Sequence, residues 1–449
     1  MEIPAQSGTG AAAPNVRSAG GGPARARIVL AMLLLVYVFN FLDRMILSIL
    51  AAPIQADLGL SDSEMGLLGG IAFAALYSTL AVPLSVVADR TNRSWVIAVS
   101  LVCWSAFTAI CGLAQNFWQI FLARLGVGVG EAGGVAPSYA LIGDYFPPNQ
   151  RATALAIYSL GIPIGSAFGL LAGGYIAEAV NWRAAFVFIG VLGVLVAPVF
   201  KYFVSDLPRP AMPGSSASPD LTPEPAPEPA PAPTPALAQV LRVLMTKPSF
   251  WLLAFGAAVG SMLGYGISFW MPSFVQRSLG LDLFDAALFL AAIMLVGGTS
   301  GMLLGGRLGD RLGAANKGWY GWLTAIAYLA CGPLMAAGVM TDTLWLAFIF
   351  FVIPQGLSYV WFGPVITAMQ HLVEPAARAM AAAIFLLIVN RVGLGGGIYA
   401  LGAFSDALAG MYGQESLRMS IAWSVTLYPL AALLMALAGF RLNRDWLDE

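Results

Sequence analysis

Apolar residues along this chain gather in runs of about twenty or more, separated by short polar stretches. A helix needs about 20 predominantly apolar residues to cross a hydrocarbon core roughly 30 Å thick. Twelve windows meet that length: 28–50, 63–88, 94–113, 117–145, 151–179, 183–204, 250–277, 284–309, 318–340, 343–372, 376–405 and 419–440. They are apolar on nearly every face, the pattern of helices in lipid rather than of a strand barrel with alternating sides. Tilt and protrusion accommodate the runs longer than 25 residues.

The polar stretches set orientation. With the N-terminus inside, the cytoplasmic segments carry sixteen lysines and arginines, and the opposite side carries Arg183, Arg277 and Arg418. Positive charge concentrates on the cytoplasmic side of membrane proteins. The expectation is a multi-pass protein of the cell (inner) membrane with both termini cytoplasmic. Residues 1–27 read as a disordered tail rich in Ala, Gly, Pro and Ser, without the apolar core of a signal peptide at its start. Between the sixth and seventh spans lies 205–248, with the run PDLTPEPAPEPAPAPTP. Proline at that density favours an extended, semi-rigid linker. Its end, Ala236 to Met245, reads as a short surface helix. The expected domains are therefore the tail, a six-helix bundle over 28–204, the linker, a second bundle over 249–441 and a tail over 442–449.

The two halves repeat each other. SVVADRTNR (Ser85–Arg93) follows the second span and GRLGDRLGA (Gly306–Ala314) follows the eighth, with their Asp-Arg pairs 221 residues apart. QRATALAIY opens the fifth span and ARAMAAAIF the eleventh, with Arg151 and Arg378 227 apart. At that same offset Pro137 matches Pro364. Parallel six-helix halves around a central site are a recurring transporter plan. The expected fold class is an all-α membrane protein of twelve transmembrane helices in two pseudo-symmetric six-helix bundles.

Three arginines and two acids then stand out inside the spans. Phe117 to Tyr145 carries Arg124 and Glu131 seven residues apart, so both lie on one helix face, with Gly126, Gly128, Gly130, Gly133 and Gly134 between and after them. Small residues let a neighbouring helix or a ligand come close. A charge at membrane depth costs at least ~2.5–3.5 kcal/mol, so it faces a wet cavity or a partner. An ion pair that only fixes helix packing is one reading. A second buried acid, Asp43 on the first span, favours a functional one. At ~1.5 Å per residue Asp43 lies about 22 Å in from the cytoplasm, at a height like that of Arg124. Arg44 points about 100° away from Asp43, toward the cavity or outward to the interface. Arg391 lies at comparable depth on the eleventh span.

Composition narrows the function class. The chain has 449 residues, 59% hydrophobic and 10% charged, with net charge −1. No basic stripe suggests nucleic acid. The three cysteines, Cys103, Cys111 and Cys331, sit in apolar runs with no metal-ligand or disulfide spacing, and the one histidine, His371, falls at a helix end. No Ser/His/Asp grouping and no phosphate-binding loop appears, which disfavours a hydrolase and an ATP-driven pump. Neither metal nor organic cofactor is expected.

Asp89-Arg90-Thr91-Asn92-Arg93 resembles the loop signature of the major facilitator superfamily (Gly-x-x-x-Asp-Arg-x-x-Arg), with Ser85 at the usual leading glycine. The second copy, Gly306-x-x-x-Asp310-Arg311, keeps the glycine. Arg124-x-x-x-Gly128-x-Gly130 resembles the fourth-helix signature of proton-coupled members. FNFLDRMILSILAAPIQADLGLSDSEMGLLGGIAFAALYS (Phe39–Ser78) and GVGVGEAGGVAPSYALIGDYFPPNQRATALAIYSLGIPIGSAFG (Gly126–Gly169) are similar to the Spinster branch, and the linker composition suggests a bacterial member. The resemblance implies rocker-switch alternation, a cavity lined by helices 1, 4, 7 and 10, and lipids such as sphingosine 1-phosphate or lysophospholipids as cargo. Bacterial sequences of this type also include carriers of sugar acids or drugs.

These readings assign roles. Burial raises a carboxyl pKa and a nearby cation lowers it, so a carboxylate whose arginine leaves during rocking takes up a proton. Asp43 and Glu131 are the expected proton carriers, with Arg124 as switching partner and the proton as coupling ion. Arg44 and Arg391, with Tyr265, Phe269 and Trp270 on the seventh span and Tyr359, Trp361 and Phe362 on the tenth, are the expected substrate contacts. Gly260, Gly264 and Gly266 suggest a bend in the seventh span. Asp89 can accept bonds from the start of the eleventh span and pair with Arg93 or Arg151, closing the inner gate. Asp310 can do the same against the fifth. Arg90, Arg311 and Arg378 complete the gating set. The expected working unit is a monomer in the bilayer carrying an amphiphilic lipid. A small organic anion or a drug is the alternative cargo.

Overall fold

The computed structural model describes residues 23–206, 237–374 and 377–447. The stretch before 23 and the proline-rich run at 207–236 lie outside the described residues. Ten stretches are long and apolar enough to cross a membrane. One of them, Met380–Asp445, turns back at Gly413–Glu415 and so makes two crossings. Phe117–Glu131 and Val135–Tyr145 together supply another. The described residues thus accommodate twelve helices: α1 (Pro23–Ile49), α2 (Asp62–Arg90), α3 (Arg93–Cys111), α4 (117–145), α5 (148–179), α6 (Trp182–Phe203), α7 (Pro248–Leu279), α8 (Leu283–Ala315), α9 (Trp319–Met340), α10 (Leu344–Gln370), α11 (378–412) and α12 (416–445). Two short helices lie beside them, Ala51–Leu58 after α1 and Leu237–Met245 before α7. The helix at Leu237–Met245 buries Val240 and Leu244, and Trp251 Nε1 donates to the Leu244 carbonyl. The first helix already includes Pro23, the first described residue, five residues before the apolar window opens, and the last runs on to Asp445.

The duplication is visible in where helices falter. Helix α4 is interrupted at 132–134 and α10 at 360–361, in each case just ahead of the matched prolines, Pro137 and Pro364. A proline has no N–H for the carbonyl four residues earlier, and its ring clashes with that carbonyl. Helices α2 and α8 each contain one wider π-type turn, at Leu67–Ile71 and Met294–Gly298. These turns too are 227 residues apart. Such turns are frequent at functional sites. Helix α7 is continuous over 32 residues, so its glycines mark no break, and Gly260 and Gly266 mark close packing. A Cβ on Gly260 would meet the Tyr328 hydroxyl, and one on Gly266 the Gly397 carbonyl.

Within the first half α1 packs on α5 and α3 on α6; within the second α7 and α9 pack on α12. The halves meet along α2 with α11 and α5 with α8. Those contacts are tight toward the face opposite the termini. Gly66 abuts the Tyr399 backbone, Gly70 the Gly395 carbonyl, and Gly174 the Ala287 side chain.

Candidate functional site: buried charges beside a central cavity

Four ionisable groups, Asp43, Arg44, Arg124 and Glu131, sit in the first half with little solvent contact. Asp43 is 1% exposed, Arg124 2% and Glu131 0%. Arg44 donates from Nε and Nη2 to Glu131 Oε2 at 2.9 and 2.8 Å. Its guanidinium lies 5.0, 4.8 and 4.8 Å from the Phe41, Phe73 and Tyr77 rings. Each such cation–π contact adds roughly 0.5–2 kcal/mol depending on desolvation. Neither Asp43 oxygen accepts a hydrogen bond, although Arg124 and Thr108 are its neighbours. Arg124 has no acceptor at Nε or Nη1, and its guanidinium carbon lies 5.4 Å from the Phe73 ring. Glu131 Oε1 is also without a donor, and Asn40 lies beside it.

The local sequence explains this placement. Asp43 and Arg44 are adjacent on α1 and so face different neighbours, Asp43 toward α3 and α4, Arg44 toward α2 and α4. The glycines of α4 bring its backbone against two others. A Cβ on Gly128 would lie 2.5 Å from the Phe73 carbonyl, and one on Gly130 2.4 Å from the Trp104 nitrogen. Arg124 is the switching partner the sequence suggests for both acids. In the structure Glu131 pairs with Arg44, while Arg124 stands near Asp43 without a hydrogen bond to it.

A cavity of about 80 Å³ opens next to this cluster, between α1 and α5 on one side and α7, α8 and α10 on the other. Of the residues expected to contact substrate, Tyr265, Tyr359, Trp361 and Phe362 line it. Phe41 and Tyr265 join cavity and charges: Phe41 lines the cavity and holds Arg44 on its ring, and Tyr265 is an electrostatic neighbour of Arg44. Ser261, Ser268, Gln355 and Ser358 add neutral hydrogen-bonding groups. The pattern of buried charges gave no reason to single these four out. A smaller apolar hollow of about 20 Å³ continues behind Ser268, Met294 and Gln355, walled by Ile267, Leu290 and Phe351. Tyr139 on α4 packs edge-on against Tyr158 yet is 40% exposed, so solvent reaches the bundle interior on the side of the termini.

Phe269 and Trp270 do not line the cavity. Both belong to the seal above it, on the face away from the termini. Phe269 fills the space over Gly69, and its carbonyl accepts from Ser48 Oγ at 2.7 Å. Trp270 Nε1 donates to the Ile398 carbonyl at 2.9 Å. Arg391 is exposed on α11 and reaches across the halves to Thr79 Oγ1 at 2.6 Å.

Above that seal is a charged latch absent from the sequence expectations. Arg277 at the end of α7 grips Asp62 at the start of α2 with two bonds, at 3.0 and 2.8 Å. Gln55 Nε2 and Ser405 Oγ donate to the same carboxylate at 2.8 and 2.6 Å. Asp406 on α11 accepts from the Asp62 and Ser63 backbone nitrogens at 3.1 and 2.8 Å. Each half thus supplies one carboxylate to donors of the other. Ser61 and Glu64 form a capping box there, the one part with a sequence signature.

At the face carrying the termini, Arg93 pairs with Asp89 at 2.9 Å and with Asp144 at 2.5 Å, tying α2, α3 and α4 together. Arg151 Nε donates to the Phe146 carbonyl and Arg378 Nε to the Gln370 carbonyl. Arg90, Asp310 and Arg311 are exposed and make no hydrogen bond or ion pair among the described residues. At the positions matching Arg93 and Asp144 the second half has Ala314 and His371, so its loop cannot build the same tie.

Comparison with known proteins fits this architecture. Residues 33–398 match the model of the Major Facilitator Superfamily. An MFS-type efflux pump of Mycolicibacterium smegmatis is 32% identical over 429 residues, covering 95% of this chain and 96% of that one. Human protein spinster homolog 1 is 27% identical over 425 residues, covering 91% and 77%. A crystal structure of a bacterial homolog to the human lysosomal transporter Spinster, inward-facing and unoccupied, superposes with a TM-score of 0.83 at 29% identity, covering 96% of this chain and all of that one. With its duplicated six-helix halves and the cavity between them, the chain belongs to the major facilitator superfamily of membrane transporters and resembles the Spinster branch within it.

Proposed function

We propose that the protein is a proton-coupled secondary carrier that moves an amphiphilic lipid, of the sphingolipid or lysophospholipid class, by rocker-switch alternation. One observation carries the reading: two acids and two arginines are buried together beside the cavity, and only one acid holds a hydrogen-bonded cation. Glu131 is neutralised by Arg44, whereas Asp43 has a cation nearby and no donor on either oxygen. Two such acids exchange partners and protons when α1 and α4 shift. Removing the partner from a buried ion pair costs about 3–5 kcal/mol, which a proton offsets. The cargo reading is supported by the cavity wall. Ser261, Ser268, Gln355 and Ser358 offer it polar groups, with Arg44 behind Phe41, while Trp361, Phe362 and the hollow behind Gln355 offer apolar surface to a chain. The face carrying the termini is the cytoplasmic one in this reading, so the sealed state is inward-facing.

Uptake of a fluorescent lysolipid into proteoliposomes under an imposed pH gradient tests both parts. Asp43→Asn and Glu131→Gln are expected to abolish acceleration by the gradient while leaving exchange of lipid without a gradient. Full gradient-driven transport in both variants would refute the coupling. A wild type that moves cationic drugs and ignores lysolipid would favour the efflux reading suggested by the mycobacterial relative.

A further inference from the structure

We propose that the membrane-facing groove between α9 and α12 is a binding site for one anionic phospholipid of the leaflet on the side of the termini. The groove has a volume of about 660 Å³, within the roughly 300–1,000 Å³ typical of small-molecule sites. Its existence follows from small residues. The helices touch where Gly321 meets the Met435 carbonyl and Gly439. Ala325, Ala432 and Ala436 then form a floor between taller walls, Trp322 and Ile326 on α9 and Leu433 and Phe440 on α12. Ile326, Leu433 and Phe440 are 58%, 54% and 70% exposed.

Length and charge select the occupant. Along α12 the lining runs from Pro429 to Phe440, about 16 Å at 1.5 Å per residue. That is close to half of a hydrocarbon core roughly 30 Å thick, the depth of one leaflet. At its end nearer the termini the rings of Trp319, Trp322 and Phe440 pack edge to face, at 5.8 and 5.4 Å between centroids. Tryptophan concentrates at the level of lipid head groups. Four residues beyond Phe440, on the same helix face, comes Arg444, with Arg441 beside it. Both are exposed, and neither has an acidic partner among the described residues. The nearby Asp445 is buried and occupied by Ser249. Two exposed cations over an apolar groove, without an acidic partner among the described residues, complement a phosphate over an acyl chain. A second copy of the chain fits worse, because a two-fold interface would bring the same cations together.

Native mass spectrometry of the full-length protein, titrated with phosphatidylglycerol or phosphatidylcholine of identical chains, tests the assignment. The wild type should retain one phosphatidylglycerol at least tenfold more tightly than phosphatidylcholine. Arg441→Gln with Arg444→Gln, on exposed positions, should erase the preference. Ala436→Phe, which fills the floor, should weaken both lipids tenfold or more. Equal retention of the two lipids by the wild type would overturn the proposal. So would an unchanged preference in the arginine variant, which reads out even if Ala436→Phe does not fold. Wild-type retention in a folded Ala436→Phe would place the lipid elsewhere, in the central cavity for instance, and a dimer dissolved by that substitution would give the groove to a second copy.

Discussion

Arg44 touches both the buried Glu131 and the cavity wall. Its side chain fills one oxygen of Glu131 while lying on Phe41, which also lines the cavity. A ligand that displaces Phe41 or Tyr265 therefore disturbs the Arg44–Glu131 pair directly. Lysine keeps the charge but loses the planar fork and most of the stacking on three rings. Arg44→Lys is expected to cut gradient-driven transport by tenfold or more while the protein still folds, as read by size-exclusion profile and thermal melt in detergent. Undiminished transport would mean that charge alone suffices there. The sequence shows that Asp43 and Arg44 face different ways. It does not show which of the two turns toward Glu131, because that depends on how α1 is rotated against α2 and α4. Hence Arg124 is the partner the sequence suggests for both acids, whereas in the structure Arg44 holds Glu131 and Arg124 stands near Asp43.

At the scale of helices, lipid makes most of the architecture readable. A backbone that finds no water must close its own hydrogen bonds, so long apolar runs become helices and their polar junctions become loops. The paired motifs around Asp89 and Arg151 gave the repeat, and the prolines that match at the same offset account for the interruptions in α4 and α10. The π-type turns of α2 and α8 were not legible, since a small shift in carbonyl pairing leaves no distinct residue pattern. Glycines behave likewise: their presence shows in the sequence, their purpose only in the packing. Gly130 presses on the α3 backbone, whereas a Cβ on Gly264 would meet nothing within 4 Å and would point into the cavity. Gly130→Ala is expected to lose about 1–3 kcal/mol through overpacking, a lowered melting temperature in detergent. Gly264→Ala should leave the melt unchanged or slightly raised, since alanine favours helix over glycine by up to ~1 kcal/mol. Its effect should appear in substrate affinity. Equal melting temperatures for the two variants would contradict this division.

For the molecule as a whole, the question is what holds one face shut. Asp62 and Asp406 lie in different halves and each binds donors of the other, so separating the halves at that face breaks both sets. The Arg277–Asp62 contact is charge-assisted and bidentate, the stronger kind. One hydrogen bond to a charged group contributes about 1.5–3 kcal/mol. Losing about 2 kcal/mol from the sealed state alone shifts an equilibrium roughly 30-fold. Arg277→Gln should therefore populate the state with this face open. Spin labels at Gln115→Cys and Thr343→Cys, on opposite halves at that face, would report it as a new longer distance. Asp62→Asn should act in the same direction, and the double variant should open the face little more than either single one, because both remove the same contact. An unchanged distance distribution in Arg277→Gln would locate the closing energy in the apolar seal beneath, where Phe269 and Trp270 pack, rather than in the charges above it. Fully additive shifts would instead mean that Arg277 and Asp62 act through separate partners, Gln55 for the one and Ser405 for the other.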